Sequence, residues 1–407
     1  MSEPKRILIL TADAGFGHRS ASNAIKAAFH EKYPECLVEI INPLNDPRTP
    51  ILLRNTQSDY DKIIRDVPDL YKLGYEASDA AVPIAIAESA MVVLQYIVMR
   101  EIVQKHNPDA IITTYPLYQA PLNAIFTINR RYIPLLTVIT DLVTVHRMWF
   151  NDGADYVFVA TEYVKNLAIE NGIDPQRIYL TGIPVHPDIS RKVKDVQSLR
   201  MELGWQPNLI TLLAVGSKRV ENLPGALEIL NHSGLPIQLI IVTGGDEELY
   251  KKMIESDWHV PAHIYNYVDN MPTLFKAADC VISKAGGLIT TESLACGLPL
   301  ILTDIIPGQE TGNAMFIVEQ GAGEIAKSPQ DVLEIVFHWL MNDAQGLHEA
   351  ANKAKSIGRP NAAYAIADLA YKAALSGPFP KRERNPKLIL SIRELLDKFG
   401  IPFEDKK

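Results

Sequence analysis

Lys284-Ala285-Gly286-Gly287 leads into a helical stretch carrying Glu292, and Gly308-Gln309-Glu310 with Asn313 follows the next apolar run. A turn of small residues at a helix start offers bare amides and the positive end of the helix dipole, which suits phosphate. Carboxylates and amides suit the hydroxyls of ribose and hexose. Together they suit a sugar nucleotide, with Glu292 placed to take two ribose hydroxyls. Gly216-Ser217-Lys218-Arg219 and Thr243-Gly244-Gly245 also end strand candidates. Amides near Gly216 and Ser217 are expected to reach phosphate oxygens, Lys218 or Arg219 to neutralise charge, and Gly244 to give close approach. Asp269-Asn270 is a candidate base-binding segment.

A second group lies near the start of the chain. An apolar run at 7–10 enters Ala14-Gly15-Phe16-Gly17-His18-Arg19-Ser20, after which a helical pattern begins. The spacing starts like a dinucleotide fingerprint, but Ser20 stands where the third Gly belongs and no acid closes the second strand, which argues against one. An imidazole at a strand–turn–helix tip points into the crevice where α/β proteins bind ligands. The helix dipole disfavours imidazolium there, so His18 reads as a general base, with a helix-capping role as the plainer alternative. Asp13 is expected to orient either the imidazole or the loop. Thr140-Asp141, His146 and Trp149 follow another strand candidate, as do Tyr115 and Pro116. Asp141 is also a candidate catalytic residue, and Asp141, His146 and Trp149, with Tyr115 and Pro116, are candidates to hold an acceptor, loop packing being the alternative for His146.

These residues need strand ends to carry them. Strand candidates fall at 6–10, 37–41, 110–113, 135–139, 156–159 and 178–180, then at 210–215, 237–242, 263–265, 280–282, 300–302 and 323–325. Each is a short continuous apolar run, the pattern of parallel strands buried on both faces. Helical patterns alternate with them, so the fold class is α/β. The turn-rich break after 182 sets the expected domains at 1–182 and 183–375, with a Pro-, Lys- and Arg-rich helical segment over 376–407.

The 407 residues suit two domains. A net charge of −8 argues against broad nucleic-acid binding and against bulk attraction to anionic membranes. The three cysteines are widely spaced and read as buried free thiols in a reducing compartment. The start of the chain carries no signal-peptide pattern. The apolar stretch 81–99 is broken by Pro83, Glu88, Ser89 and Gln95, so it reads as a buried or interfacial helix. No metal-ligand spacing stands out, so no metal or cofactor is expected.

At these residues the chain resembles monogalactosyldiacylglycerol synthases and the bacterial processive diacylglycerol glucosyltransferases. The resemblance lies in Gly15-Phe16-Gly17-His18-Arg19-Ser20-Ala21, Tyr115-Pro116-Leu117, Thr140-Asp141-Leu142 through His146 and Trp149, Lys284 to Glu292, and Pro307 to Asn313. It implies a GT-B fold, two Rossmann-like domains facing a central cleft, with acceptor in the first and UDP-sugar in the second. It implies an inverting, metal-independent hexosyltransferase moving glucose or galactose from UDP to a lipid hydroxyl, most directly diacylglycerol. His18 would be the base, Glu292 would bind ribose, and Gln309 and Glu310 the sugar hydroxyls. The final helices would return to brace the first domain. The chain departs from the pattern in three places: one Gly in the 216–219 loop, Tyr115 where the plant-type enzymes have a His, and Arg147 where a Pro is usual. Transfer to a polyprenyl-linked or soluble acceptor, or a UDP-sugar epimerase or binding protein, are the alternatives. The expected location is cytoplasmic, on the inner face of the cell membrane, with 83–99 and 115–118 as the membrane-facing segments.

Overall fold

The computed structural model describes residues 3–13, 16–51, 53–54, 81–129, 131–191, 195–217, 220–306, 310–377 and 386–403. They form two compact units, one of Met1–His186 with Asn361–Lys407 and one of Pro187–Pro360.

The first unit holds strands β1 (Arg6–Leu10), β2 (Leu37–Ile41), β3 (Ala110–Thr113), β4 (Leu135–Val138), β5 (Tyr156–Val159) and β6 (Ile178–Leu180). They make one parallel sheet in the order β2-β1-β3-β4-β5-β6. Its helices include α1 (Phe16–Lys32), α2 (Ala81–His106), α3 (Gln119–Asn129) and α4 (Glu162–Glu170). Alternation along β1 shows why such strands read as continuous apolar runs. Ile7 and Ile9 join the core that includes Ala24 and Phe29 of α1, while Leu8 and Leu10 join the opposite core with Met99 and Ile125.

The second unit holds α5 (Pro187–Ser190) and α6 (Val196–Glu202), then strands β7 (Ile210–Val215), β8 (Ile237–Val242), β9 (Ala262–Tyr265), β10 (Cys280–Ser283), β11 (Leu300–Leu302) and β12 (Gly323–Ile325). They are parallel, in the order β12-β11-β10-β7-β8-β9. Between and after them come α7 (Leu223–Asn231), α8 (Glu247–Glu255), α9 (Met271–Ala277), α10 (Gly287–Ala295), α11 (Thr311–Glu319) and α12 (Pro329–Ile357). Cys280 and Ile282 of β10 face one core and Val281 the other.

The chain then forms α13 (Ala362–Ser376) and α14 (Pro386–Lys398). The division differs here from the expected domain end at 375, because α13 belongs to the first unit. Its small face, Ala363, Ala367, Ala370 and Ala374, packs with Ile25 and Ala28 of α1 in one core. Tyr33 stacks on Tyr371 at 4.1 Å, and Asp368 takes hydrogen bonds from Lys32 (2.5 Å) and Tyr33 (2.7 Å). Alanines at helical spacing let the two helices approach closely. The composition of α13 alone carries no signal for which sheet it covers. Leu396 of α14 joins the core that contains Tyr96 and Leu122.

The apolar stretch at 81–99 is the first part of α2, which buries Met91, Val92, Tyr96 and Met99 and leaves Ile86 and Leu94 exposed. Among the described residues no helix is long and apolar enough to cross a membrane. Of the 115–118 segment, Tyr118 is fully buried, with its hydroxyl 3.1 Å from the Thr11 carbonyl, while Tyr115, Pro116 and Leu117 are partly exposed. Of the cysteines, all free, Cys36 and Cys280 are buried and Cys296 is partly so.

Candidate active site

In the first unit, His18 sits in the first turn of α1, just beyond the end of β1. The turn is held by hydroxyls. Ser22 Oγ and Thr114 Oγ1 lie 3.0 and 3.1 Å from the His18 carbonyl, and Thr114 Oγ1 reaches Thr11 Oγ1 at 3.1 Å. These residues lie in α1 and beyond the ends of β1 and β3, so the sheet edge sets the imidazole's position. His18 Nδ1 is 3.0 Å from Thr140 Oγ1. Tyr115 meets the ring edge-on, with centroids 5.2 Å apart, and the Trp149 ring lies 6.1 Å away. Gly17 has open space where a Cβ would stand. Burial pulls the imidazole pKa down to about 4, opposed by a hydrogen bond with the Thr114 backbone. His18 is therefore neutral near pH 7, the state a base requires.

The structure separates the two roles open for Asp13. Its carboxylate takes Arg19 at 2.8 and 3.0 Å and Asn42 at 2.9 Å, so it orients the loop. Those donors hold it below the usual carboxylate range, the Arg19 hydrogen bond most of all. Asp141 accepts from Trp149 Nε1 at 2.7 Å, and burial raises its pKa to about 6. Gln119 Nε2 donates to the Trp149 carbonyl at 3.0 Å and Gln119 Oε1 accepts from Thr137. Asp141 and Gln119 thus fix Trp149 beside His18. His146 takes a capping role in the same loop. It opens the 3₁₀ turn Arg147–Trp149, with Nδ1 accepting from the Met148 amide at 3.2 Å. Pro116 opens a similar turn, over Pro116–Tyr118, after Tyr115.

In the second unit, α10 starts at the end of β10. Gly286 is its N-cap and supplies no side-chain cap, so the first-turn amides remain available. A Cβ on Gly286 would lie 3.1 Å from Lys284 Nζ. Lys284 forms an ion pair with Glu310 Oε1, and Glu310 Oε2 accepts from the Ile306 amide at 3.2 Å. Glu310 is 3% exposed. Both its oxygens have partners within the protein, and the pair holds Lys284 beside the helix start. Asn313 is likewise turned inward, with Nδ2 donating to the Ala285 carbonyl at 3.0 Å, which ties the two loops together. Ala285 is fully buried. Glu292 keeps the expected place on α10, where burial raises its carboxyl to about 7. A carboxyl in that state is short of the hydroxyl donors that would stabilise its charge.

The glycine loops also differ from expectation. The Gly216 amide donates to the Val242 carbonyl at 2.8 Å and so is not open to phosphate. A Cβ at Gly216 would stand 2.7 Å from Leu249, and one at Gly244, where φ is +66°, would stand 2.6 Å from the Gly216 carbonyl. Gly216 thus makes room for a helix side chain, and Gly244 for the backbone at the end of β7. Ser217 follows at that edge, partly buried. Asp269 and Asn270 are exposed at the start of α9. Lys218, Arg219, Gly308 and Gln309 lie outside the described residues. Among the described residues no group of three or more His, Cys, Asp or Glu side chains could hold a metal ion.

Sequence reasoning missed Thr140 and Gln119. Both are uncharged, and Thr140 stands next to Asp141, which drew the assignment by its charge.

Residues 18–185 match the family model for monogalactosyldiacylglycerol synthase, and 212–366 match that of the glycosyltransferase family 28 C-terminal domain. The chain is 32% identical over 377 residues to a probable monogalactosyldiacylglycerol synthase of Glycine max, covering 89% of this chain and 70% of that protein. It is 31% identical over 376 residues to the enzyme of Spinacia oleracea, covering 89% and 71%. Among solved structures, MurG of Acinetobacter baumannii aligns at TM-score 0.58 and 19% identity, over 91% of this chain and all of that one. A UDP-GlcNAc 2-epimerase of Neisseria meningitidis aligns at 0.58 and 13%, over 90% and 100%. Two parallel six-stranded sheets with these neighbours define a GT-B protein. The chain belongs to the monogalactosyldiacylglycerol synthase family and is a hexosyltransferase. The expected location, cytoplasmic and on the inner face of the cell membrane, is corrected by these relatives, which are named as chloroplastic enzymes.

Proposed function

We propose that this glycosyltransferase moves galactose from UDP-galactose to the free hydroxyl of diacylglycerol at a membrane surface, with inversion and without a metal. The relatives' name favours galactose over glucose and diacylglycerol over other acceptors. The single observation that carries the chemistry is His18, neutral, packed between Tyr115 and Trp149, in the part of the chain that matches the synthase family. As the acceptor oxygen attacks the anomeric carbon, its proton passes to His18. The bond from that carbon to the β-phosphate oxygen breaks, and UDP leaves with the electron pair.

In the second unit, the uncapped start of α10 and Lys284 are suited to the diphosphate, and Glu292 to the ribose hydroxyls. Pre-set amides and one ammonium would carry the leaving-group charge that a metal carries elsewhere. Peripheral contact needs only a small apolar patch, and Ile86 and Leu94 of α2 are candidates.

The test is incubation with UDP-galactose or UDP-glucose and vesicles containing diacylglycerol, with the lipid product identified by mass spectrometry. The expected result is hexosyl-diacylglycerol, formed faster from UDP-galactose. UDP release without a glycolipid product would overturn the acceptor assignment.

A further inference from the structure

A histidine base that takes a proton at one ring nitrogen must carry its own proton on the other. In many enzymes a carboxylate imposes that state. Two candidate carboxylates, Asp13 and Asp141, do not do so. Asp13 is occupied by Arg19 and Asn42, and Asp141 by the Trp149 ring amide. The group at Nδ1 is the hydroxyl of Thr140, at 3.0 Å. Thr140 is 8% exposed and lies two residues past the end of β4, so sheet register sets where its hydroxyl points. The backbone of His18 is fixed independently by Ser22 and Thr114, which leaves ring rotation and tautomer as the freedoms still to be set. Tyr115 and Trp149 limit the rotation.

We infer that Thr140 is a positioning residue for the transfer reaction: its Oγ1 accepts a hydrogen bond from His18 Nδ1–H and so leaves the Nε2 lone pair facing the acceptor hydroxyl. The assignment of roles rests on the glycosyl transfer proposed above; the hydrogen bond itself does not. A neutral hydroxyl in this place orients the ring without adding charge beside it. The imidazolium formed in the reaction therefore has no carboxylate partner at Nδ1. That agrees with a base held neutral by burial, which returns its proton readily once UDP has left.

The test compares Thr140→Val, which keeps the shape and removes the hydroxyl, with Thr140→Ser, which keeps the hydroxyl. The first readout is the nitrogen NMR spectrum of histidine-labelled full-length protein, with the His18 signals assigned by their loss in His18→Gln. The expected result is a proton on Nδ1 in the wild type and in Thr140→Ser, and its redistribution toward Nε2 in Thr140→Val. The second readout is steady-state kinetics. Thr140→Val is expected to lower kcat roughly 10- to 100-fold, as loss of such orienting partners does elsewhere, with the donor KM little changed and Thr140→Ser close to wild type. A wild-type proton on Nε2, or a Thr140→Val enzyme with undiminished kcat, would overturn the inference. If wild-type protein makes no glycolipid at all, the reaction is wrong, and the spectrum still decides the Thr140 bond. A Thr140→Val protein that melts early is replaced by Thr140→Cys, read by the same spectrum.

Discussion

His18 in the first unit keeps hydroxyl and backbone partners, whereas Lys284 and Glu310 in the second form an ion pair beside the start of α10. The two regions come from the same construction, a parallel strand running into a helix, yet they treat charge differently. Burial drives the imidazole down to about 4 and keeps it uncharged. The second region keeps one partly buried charge pair and one carboxyl, Glu292, raised to about 7. A base must change protonation state during turnover, and a neutral setting lets it. A grip on a diphosphate must hold positive charge steadily, and a buried partner such as Glu310 keeps the ammonium in place. The difference teaches that similar strand ends are specialised by what surrounds the side chain more than by the side chain itself.

The largest effect that could break this comparison is at His18. His18→Ala is expected to lower glycolipid formation by roughly 10² to 10⁴, the usual range for losing a general base. Turnover within tenfold of wild type would remove the chemical half of the contrast, about one factor of ten being the smallest loss a general base explains.

Next comes Glu310→Ala. It leaves Lys284 without its buried partner and is expected to cost about 3 kcal/mol in denaturant unfolding, along with donor affinity. A variant as stable as wild type would mean that the pair does not organise the loop.

Glu292→Gln sharpens the comparison through pH. A glutamate whose folded pKa lies above its unfolded value adds stability at low pH, and that stability is lost as pH rises through about 7. The glutamine variant should therefore melt above wild type at pH 8 and lose that advantage near pH 4. If the ionised carboxylate accepts the ribose hydroxyls, wild-type donor affinity rises between pH 6 and 8 and the variant's does not. The expected weakening at pH 8 is about tenfold, the worth of a hydrogen bond to a charged group. Activity should show no loss from His18 protonation until pH approaches about 4. The smallest effect is at Asn313. Asn313→Ala removes one bond to the Ala285 carbonyl and should cost about 1 kcal/mol, read as a lowered midpoint.

How much was legible in the sequence follows the same physics. Among the described residues all twelve strands were readable, because parallel strands between helical layers are largely apolar, fully so in the central ones. His18 and Glu292 were readable as chemistry, since each is an ionisable group at a strand–helix junction. Glu310 and Asn313 were read as sugar ligands, and their inward bonds to Lys284 and Ala285 reach back 26 and 28 residues. No local pattern reports such partners. Gly216 was read as offering an amide to phosphate and Gly244 as giving a ligand close approach, when Gly216 makes room for the Leu249 side chain and Gly244 for the Gly216 carbonyl. Glycine signals close approach without saying to what. Thr140 was passed over for the charged neighbour, and the return of the chain at α13 rests on an alanine face that would suit either sheet.

The division of labour is tested most directly by calorimetric titration of UDP-galactose into wild type, His18→Ala and Glu292→Gln at pH 8. His18→Ala should bind the donor as wild type does while failing to make glycolipid, and Glu292→Gln should bind it more weakly. Donor affinity lost with His18 and kept without Glu292 would contradict the account.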